Sequence, residues 1–195
     1  MPTLHLLVGP NGAGKTTFFE RVLGPATHLP FINADLIARR EWPGNEEAHG
    51  HEAAALAEQA RFAAIEKRRS FAAETVFSHP SKVELIRAAQ SAGYLVFLHV
   101  ILVSEELTVT RTRLRAAQGG HSVPEKKVRE RYRRLWANVL AALLLSDEAA
   151  VYDNSSARKP FRVVARYQNG KPLGAIEHPD WSPLKPSSRI RRPRK

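Results

Sequence analysis

The chain has 195 residues and no cysteine, so disulfides and thiolate metal sites are excluded and any metal must be held by oxygen or imidazole. Its length fits one domain on the prior of roughly 150 residues each, and 43% hydrophobic with 25% charged residues is a composition that buries a core rather than a disordered one. The formal charge of +11 makes polyanions candidate partners, but Lys185, Arg189, Arg191, Arg192, Arg194 and Lys195 supply six of those charges within the last eleven residues, leaving +5 elsewhere. That tail is expected to be a solvated end, with nucleic-acid binding the less favoured alternative. No apolar run approaches the roughly 18 residues of a membrane span, and a glycine-rich motif beginning at Gly9 leaves no room for a cleavable leader. A cytoplasmic protein without a membrane partner is expected.

Thr3 to Val8 is a short apolar run ending in glycines, the pattern of a buried parallel strand, and a helix is predicted from Gly14 to Leu23. Phe31-Ile32 is a second brief strand, followed after Pro43-Gly44 by a long alanine-rich helix from about Glu46 to Arg69. Phe71 to Phe77 reads as a third strand, Ser81 to Ala92 as a helix stopped by Gly93, and Tyr94 to Val103 as the most apolar strand. A basic helix from Glu105 to Ala117, the break at 118–121 and a helix entered at Pro124 come next. In that last helix Val128, Tyr132, Leu135 and Val139 form the buried stripe. Ala149 to Asp153 is a fifth strand, and Asn169-Gly170 marks a two-residue hairpin turn between Arg162–Tyr167 and Pro172–Glu177. Alternating strands and helices predict one α/β domain over residues 1–178, with a core of 3–155, an antiparallel hairpin over 161–177 and a basic tail from 179 to 195.

Gly9-Pro10-Asn11-Gly12-Ala13-Gly14-Lys15-Thr16 satisfies G-x-x-x-x-G-K-[ST] between a predicted strand and a predicted helix, which makes the fold class a three-layer P-loop NTPase fold around a parallel sheet. In such a loop the backbone N–H groups and the helix N-terminus surround phosphates, Lys15 supplies a point charge, Thr16 offers its hydroxyl to magnesium, and Thr17 follows on the helix. ATP and Mg²⁺ are the expected cofactors. An apolar core strand closed by an acidic residue, as motor ATPases carry, is not evident: Tyr94 to Val103 runs into Ser104-Glu105-Glu106, and Asp153 after Ala149 to Tyr152 is a weak candidate. This tilts the expectation toward a phosphotransferase.

Asp35 follows the second strand at the carboxyl edge of the sheet, where it could take the proton from an acceptor hydroxyl or cap a helix from Leu36 onward. Glu74 ends the third strand and could position substrate or a magnesium-bound water, with Thr75 and Ser78 adding hydroxyls nearby; a plain polar strand end is the alternative. Arg111 and Arg115, four apart on one helix face before Gly119-Gly120, read either as lid arginines closing on a transferring phosphate or as a solvated basic helix. His121 either contacts phosphate or caps its loop.

In order and spacing, Gly9 to Thr16, Asn33-Ala34-Asp35, Glu74-Thr75, Arg111 and Arg115 before Gly119-Gly120-His121, Val123-Pro124 and Tyr152-Asp153-Asn154-Ser155 resemble the short, stand-alone branch of the zeta-toxin family of P-loop kinases. The resemblance covers about Thr3 to Ser155. It implies ATP-dependent phosphorylation of a hydroxyl, in the characterised toxins that of UDP-N-acetylglucosamine, with an antitoxin as partner. It also implies that Lys15 and Thr16 bind ATP and magnesium, that Asp35 is the base, that Asn33, Glu74, Thr75, Ser78 and His121 lie on the acceptor side, and that Arg111 and Arg115 stabilise the transition state. The chain departs from the best-known toxins in its shorter length and its Gly-Gly-His lid. A polynucleotide kinase and a non-catalytic ATP-sensing module are the competing functions.

Overall fold

The computed structural model describes residues 1–117 and 123–185. The expected hinge at Gly119-Gly120, His121 and the tail beyond Lys185 lie outside the described residues. Seven strands form one sheet in the order β2-β3-β1-β4-β5-β6-β7. Its centre is β1 (Thr3–Val8), parallel to β3 (Phe71–Thr75) on one side and to β4 (Leu95–Leu102) on the other. β2 (Phe31–Ile32) extends the sheet beyond β3, and β5 (Glu148–Asp153) beyond β4, again in parallel. These central strands are apolar toward both faces because both are covered: Leu4, Leu6, Leu7 and Val8 on β1, and Val96, Leu98, Val100, Ile101 and Leu102 on β4, are fully buried.

One face packs α5 (Ser81–Ser91), α7 (Glu125–Leu145) and Ile65 of α4 (Gly50–Glu66) into the larger apolar cluster. The expected stripe of Val128, Tyr132, Leu135 and Val139 on α7 is buried. The opposite face carries a smaller cluster in which Phe18 and Leu23 lie over Leu7, Ala72 and Ile101. Phe18 ends α1 (Lys15–Phe18), which runs through a π-helical turn (Phe19–Leu23) into α2 (Gly24–Thr27), past the Leu23 boundary expected from sequence. The three-layer α/β architecture with a largely parallel sheet is therefore present.

Other boundaries shift as well: β3 ends at Thr75 rather than Phe77, and α4 ends at Glu66 rather than Arg69. Residues 46–49 form turns, so α4 starts at Gly50 rather than Glu46. The hairpin's second arm is regular only over β7 (Lys171–Pro172), which pairs antiparallel with β6 (Arg162–Gln168). Asn169 and Gly170 have φ of 49° and 72°, the left-handed pair that a tight hairpin turn requires. Beyond Pro172 the arm contributes single backbone bonds, Leu173 N to Arg166 O at 2.8 Å and Glu177 N to Val164 O at 2.7 Å. Gly174, with φ of 80°, interrupts the extended backbone between them. Packing continues past the hairpin, since Leu184 joins the larger cluster. Among the described residues no helix is long and apolar enough to cross a membrane.

Candidate active site

β1 ends at Val8 and α1 begins at Lys15, so residues 9–14 form a loop at the carboxyl edge of the sheet. Gly14 has φ of 92°, and a Cβ there would lie 2.6 Å from Asn154 Nδ2, so a side chain would be both strained and blocked. Asn154, just past β5, donates from that nitrogen to Ala13 O at 2.8 Å. Arg111, on α6 (Glu105–Ala117), donates to Gly12 O at 3.3 Å and to Asn154 O at 3.0 Å. Neighbouring elements thus hold the loop from outside. Asn154 was assigned no role from sequence, although a polar residue directly after a core strand beside a phosphate-type loop was a usable signal.

Lys15 is 5% exposed, and its ammonium donates to Gly9 O and Pro10 O, both at 3.1 Å. It also lies 3.5 Å from Glu74 Oε1. The other oxygen of Glu74 accepts from the Thr16 hydroxyl at 2.7 Å and from Asn33 Nδ2 at 2.6 Å. This convergence follows from sheet order: β3 lies directly beside β1, with Leu7 opposite Glu74 and Val8 opposite Thr75. Phe71-Ala72-Ala73-Glu74 is therefore the apolar strand closed by a carboxylate next to the loop. The candidates considered from sequence lie elsewhere: Asp153 accepts from Ser155 N at 2.9 Å and Arg162 at 3.3 Å, while Glu105 and Glu106 bind Arg129 of α7.

Asn33 is 3% exposed and uses both ends of its amide. While Nδ2 serves Glu74, Oδ1 accepts from Leu36 N at 3.1 Å and caps α3 (Ala34–Glu41). The cap of this helix is Asn33, which leaves Asp35 free in the first turn. Asp35 points its carboxylate to Arg115 at 3.8 Å, with the two side chains 66% and 51% exposed. Arg111 and Arg115 thus reach different partners from one helix, the first the loop and the second Asp35. Thr75 Oγ1 accepts from Phe77 N at 3.2 Å, and Ser78 follows in the same connection.

Against the loop and α1 lies a cleft of about 610 Å³ lined by Thr17, Phe18, Arg21, Arg111, Tyr152, Asn154, Pro160 and Phe161. Its wall is aromatic: Phe18 meets Tyr152 at 4.6 Å and Phe161 at 5.2 Å between ring centroids. Beneath it His5 Nδ1 and His99 Nε2 are 3.1 Å apart, and His99 Nδ1 lies 3.4 Å from the Tyr152 hydroxyl. Burial, and secondarily His5, pulls the His99 imidazole down to about 3, and burial lowers His5, so the pair is neutral at pH 7. Burial also lowers the Arg111 guanidinium and raises the Tyr152 phenol.

The donor set suits a nucleotide polyphosphate and magnesium. A buried ammonium resting only on backbone carbonyls and one carboxylate is a cation prepared for a stronger anion. A hydroxyl bonded to a carboxylate at the helix start is the oxygen pair that a hard divalent ion takes. Thr16 would ligate such an ion and Glu74 would hold it directly or through water.

A family model described as AAA domain matches residues 4–139, from β1 through most of α7. The chain belongs to this AAA domain family. Members share the P-loop core, and its fold here fits use of ATP and Mg²⁺. No curated protein sequence matches the chain. Among solved structures, a chain of the PezAT chromosomal toxin-antitoxin system of Streptococcus pneumoniae superposes with a TM-score of 0.60 at 18% identity, covering 85% of this chain and 72% of that one. The AvrRxo1-ORF1:AvrRxo1-ORF2 complex with sulphate ions gives a TM-score of 0.68 at 17% identity over 89% of this chain and 60% of that one. A chain of the Pnkp1/Rnl/Hen1 RNA repair complex gives 0.57 at 16% identity over 92% of this AAA domain chain and 50% of its own. The P-loop NTPase fold is thus like that of chains in the PezAT toxin-antitoxin system and the AvrRxo1-ORF1:AvrRxo1-ORF2 complex.

Proposed function

We propose that the protein is an ATP-dependent kinase that phosphorylates a hydroxyl of a small nucleotide-like metabolite, a UDP-sugar such as UDP-N-acetylglucosamine being the leading candidate. The observation that carries this is the convergence on Glu74: one carboxylate bonds Thr16 and Lys15 of the loop and, through Asn33, the helix that presents Asp35. Bound ATP with magnesium supplies the transferable phosphoryl group and neutralises its charge. Lys15 leaves the carbonyls of Gly9 and Pro10 for phosphate oxygens, and the cleft lined by Phe161 and Tyr152 receives the base. Asp35 takes the proton of the acceptor hydroxyl as its oxygen bonds to phosphorus and the bond to the leaving diphosphate breaks. An ion pair this exposed is worth at most about 1 kcal/mol, so Arg115 can exchange Asp35 for the transferring group. Arg111 keeps the loop in shape from Gly12 and Asn154 while bordering the same cleft. Thr75 and Ser78 complete the acceptor side.

Fold likeness to chains of two toxin-antitoxin complexes supports a protein partner of antitoxin type, and one related complex was solved with ATP. The test is Asp35→Asn, isosteric and without a basic carboxylate. Phosphoryl transfer should fall by about two orders of magnitude or more, while binding of a non-hydrolysable ATP analogue stays within twofold. Transfer unaffected by Asp35→Asn would remove the base assignment, whereas analogue binding with no transfer by the wild type to any acceptor would favour the ATP-sensing module.

A further inference from the structure

The cleft against the loop and α1 has polar groups at its loop end and one farther out. Gly12, Gly14 and Thr17 line it beside the loop, while Arg21 lies one helical turn, about 6 Å, beyond Thr17 along the helix. The other walls are the apolar and aromatic side chains of Phe18, Val22, Tyr152, Pro160 and Phe161. Walls of this kind hold any base by stacking, because every base offers a π face. Discrimination between bases therefore falls to polar groups that can reach a base edge.

Most polar side chains of the cleft are already engaged or sit at the loop. Arg111 donates to Gly12 O and Asn154 O. The Asn154 amide donates to Ala13 O and lies against Gly14, at the phosphate end. The Tyr152 hydroxyl faces His99 Nδ1 at 3.4 Å, and Thr17 directly follows Thr16. Arg21 differs from all of these. It is exposed, and among the described residues it makes no hydrogen bond and no ion pair. It also belongs to the π-helical turn Phe19–Leu23, which interrupts the regular helix where Arg21 and Val22 border the cleft. Single π-helical turns of this kind are frequent at functional sites.

A guanidinium has five N–H donors and no acceptor. It matches the edge of guanine on which O6 and N7 both accept, and meets it as a two-bond fork. Adenine places an N6 amino donor beside N7, so the same fork keeps one bond and sets a donor against a donor. We propose that Arg21 reads the base of the phosphoryl donor and that the protein binds GTP at least as tightly as ATP. The proposal rests on the cleft receiving the base of the nucleotide, as in the kinase assignment, and adds to it the base specificity of the donor.

Calorimetric titration of the full chain with magnesium and non-hydrolysable analogues of ATP and GTP tests it. Wild type should bind the GTP analogue as tightly as the ATP analogue or more tightly. Removing a positive charge near a polyphosphate weakens every nucleotide, so the role of Arg21 is read from the ratio of the two affinities. In Arg21→Met that ratio should move against guanine by about fivefold or more, the low end of what a bidentate arginine–guanine pair discriminates. Arg21→Lys keeps the charge and loses the fork, so it should move the ratio in the same direction. The matching inosine analogue, which keeps O6 and N7 and lacks the N2 amino group of guanine, should bind wild type as the GTP analogue does. Tighter binding of the ATP analogue by wild type, or a ratio unchanged in Arg21→Met, would overturn the proposal. Binding of the ATP analogue alone would do so while leaving the kinase assignment standing, whereas binding of neither analogue would remove both.

Discussion

Asn33 joins the two halves of the site through one side chain, since its Nδ2 holds Glu74 and its Oδ1 starts the helix that carries Asp35. Asn33→Asp separates these duties. Aspartate caps a helix as well as asparagine does, but places a second carboxylate where Nδ2 now donates at 2.6 Å to Glu74. Stability should change by less than about 1 kcal/mol, while kcat falls roughly 10- to 100-fold with a shifted magnesium requirement. A magnesium dependence identical to wild type would show that Asn33 does not position Glu74. The loop from Gly9 to Thr16 was legible because its chemistry is written in consecutive residues. The bond from Thr16 to Glu74 spans 58 residues and depends on which strand lies beside β1, which no local pattern encodes. For Asn33, the family resemblance implied the acceptor side and was silent on the fold contacts that occupy both ends of its amide.

At the scale of elements, β1 was readable to the residue because its apolar run ends on a clear glycine signal. α3 was visible only as a possible capped helix from Leu36 onward, since it spans eight residues and buries only Ala38. The π-helical turn after α1 had no sequence signal; it lies where Phe19 stacks on Phe31 at 3.8 Å, a tertiary contact. The histidines of β1 and β4 yield a prediction at this scale. His99 lies between His5, Phe18 and Tyr152 and ionises only near pH 3 in the fold, against an ordinary value of 6.5. The unfolded chain takes up that proton first, so the stability from keeping His99 neutral is complete above pH 6.5 and lost progressively as pH falls toward 3. By pH 5 the loss is about 2 kcal/mol, or a fall in Tm of roughly 4–8 °C. Melts from pH 7.5 to 5 of wild type and His99→Leu should show a steep slope in the first and a shallower one in the second; equal slopes would contradict the assignment. Glu106 and Glu125, held below the usual carboxylate range mainly by hydrogen bonds from Arg129, lose their contribution only at lower pH, outside this window.

For the whole molecule, the alternation of strands and helices made the three-layer class legible, and the Asn169-Gly170 turn located the hairpin. Hidden in the sequence was the order β2-β3-β1-β4-β5, which brings Glu74 to one side of the loop and Asn154 to the other. That order brings residues spread from Gly12 to Phe161 to one cleft against the loop and α1. The central claim is that this site transfers phosphate to a small hydroxyl acceptor. It is tested most directly by incubating the protein with ATP, magnesium and a panel of UDP-sugars, nucleotides and short RNAs, then weighing every panel member by mass spectrometry, with Lys15→Ala in parallel. One added phosphate on a small metabolite, absent with Lys15→Ala, is the predicted result. Phosphate appearing only on RNA, or on no member while ATP is bound, would contradict it.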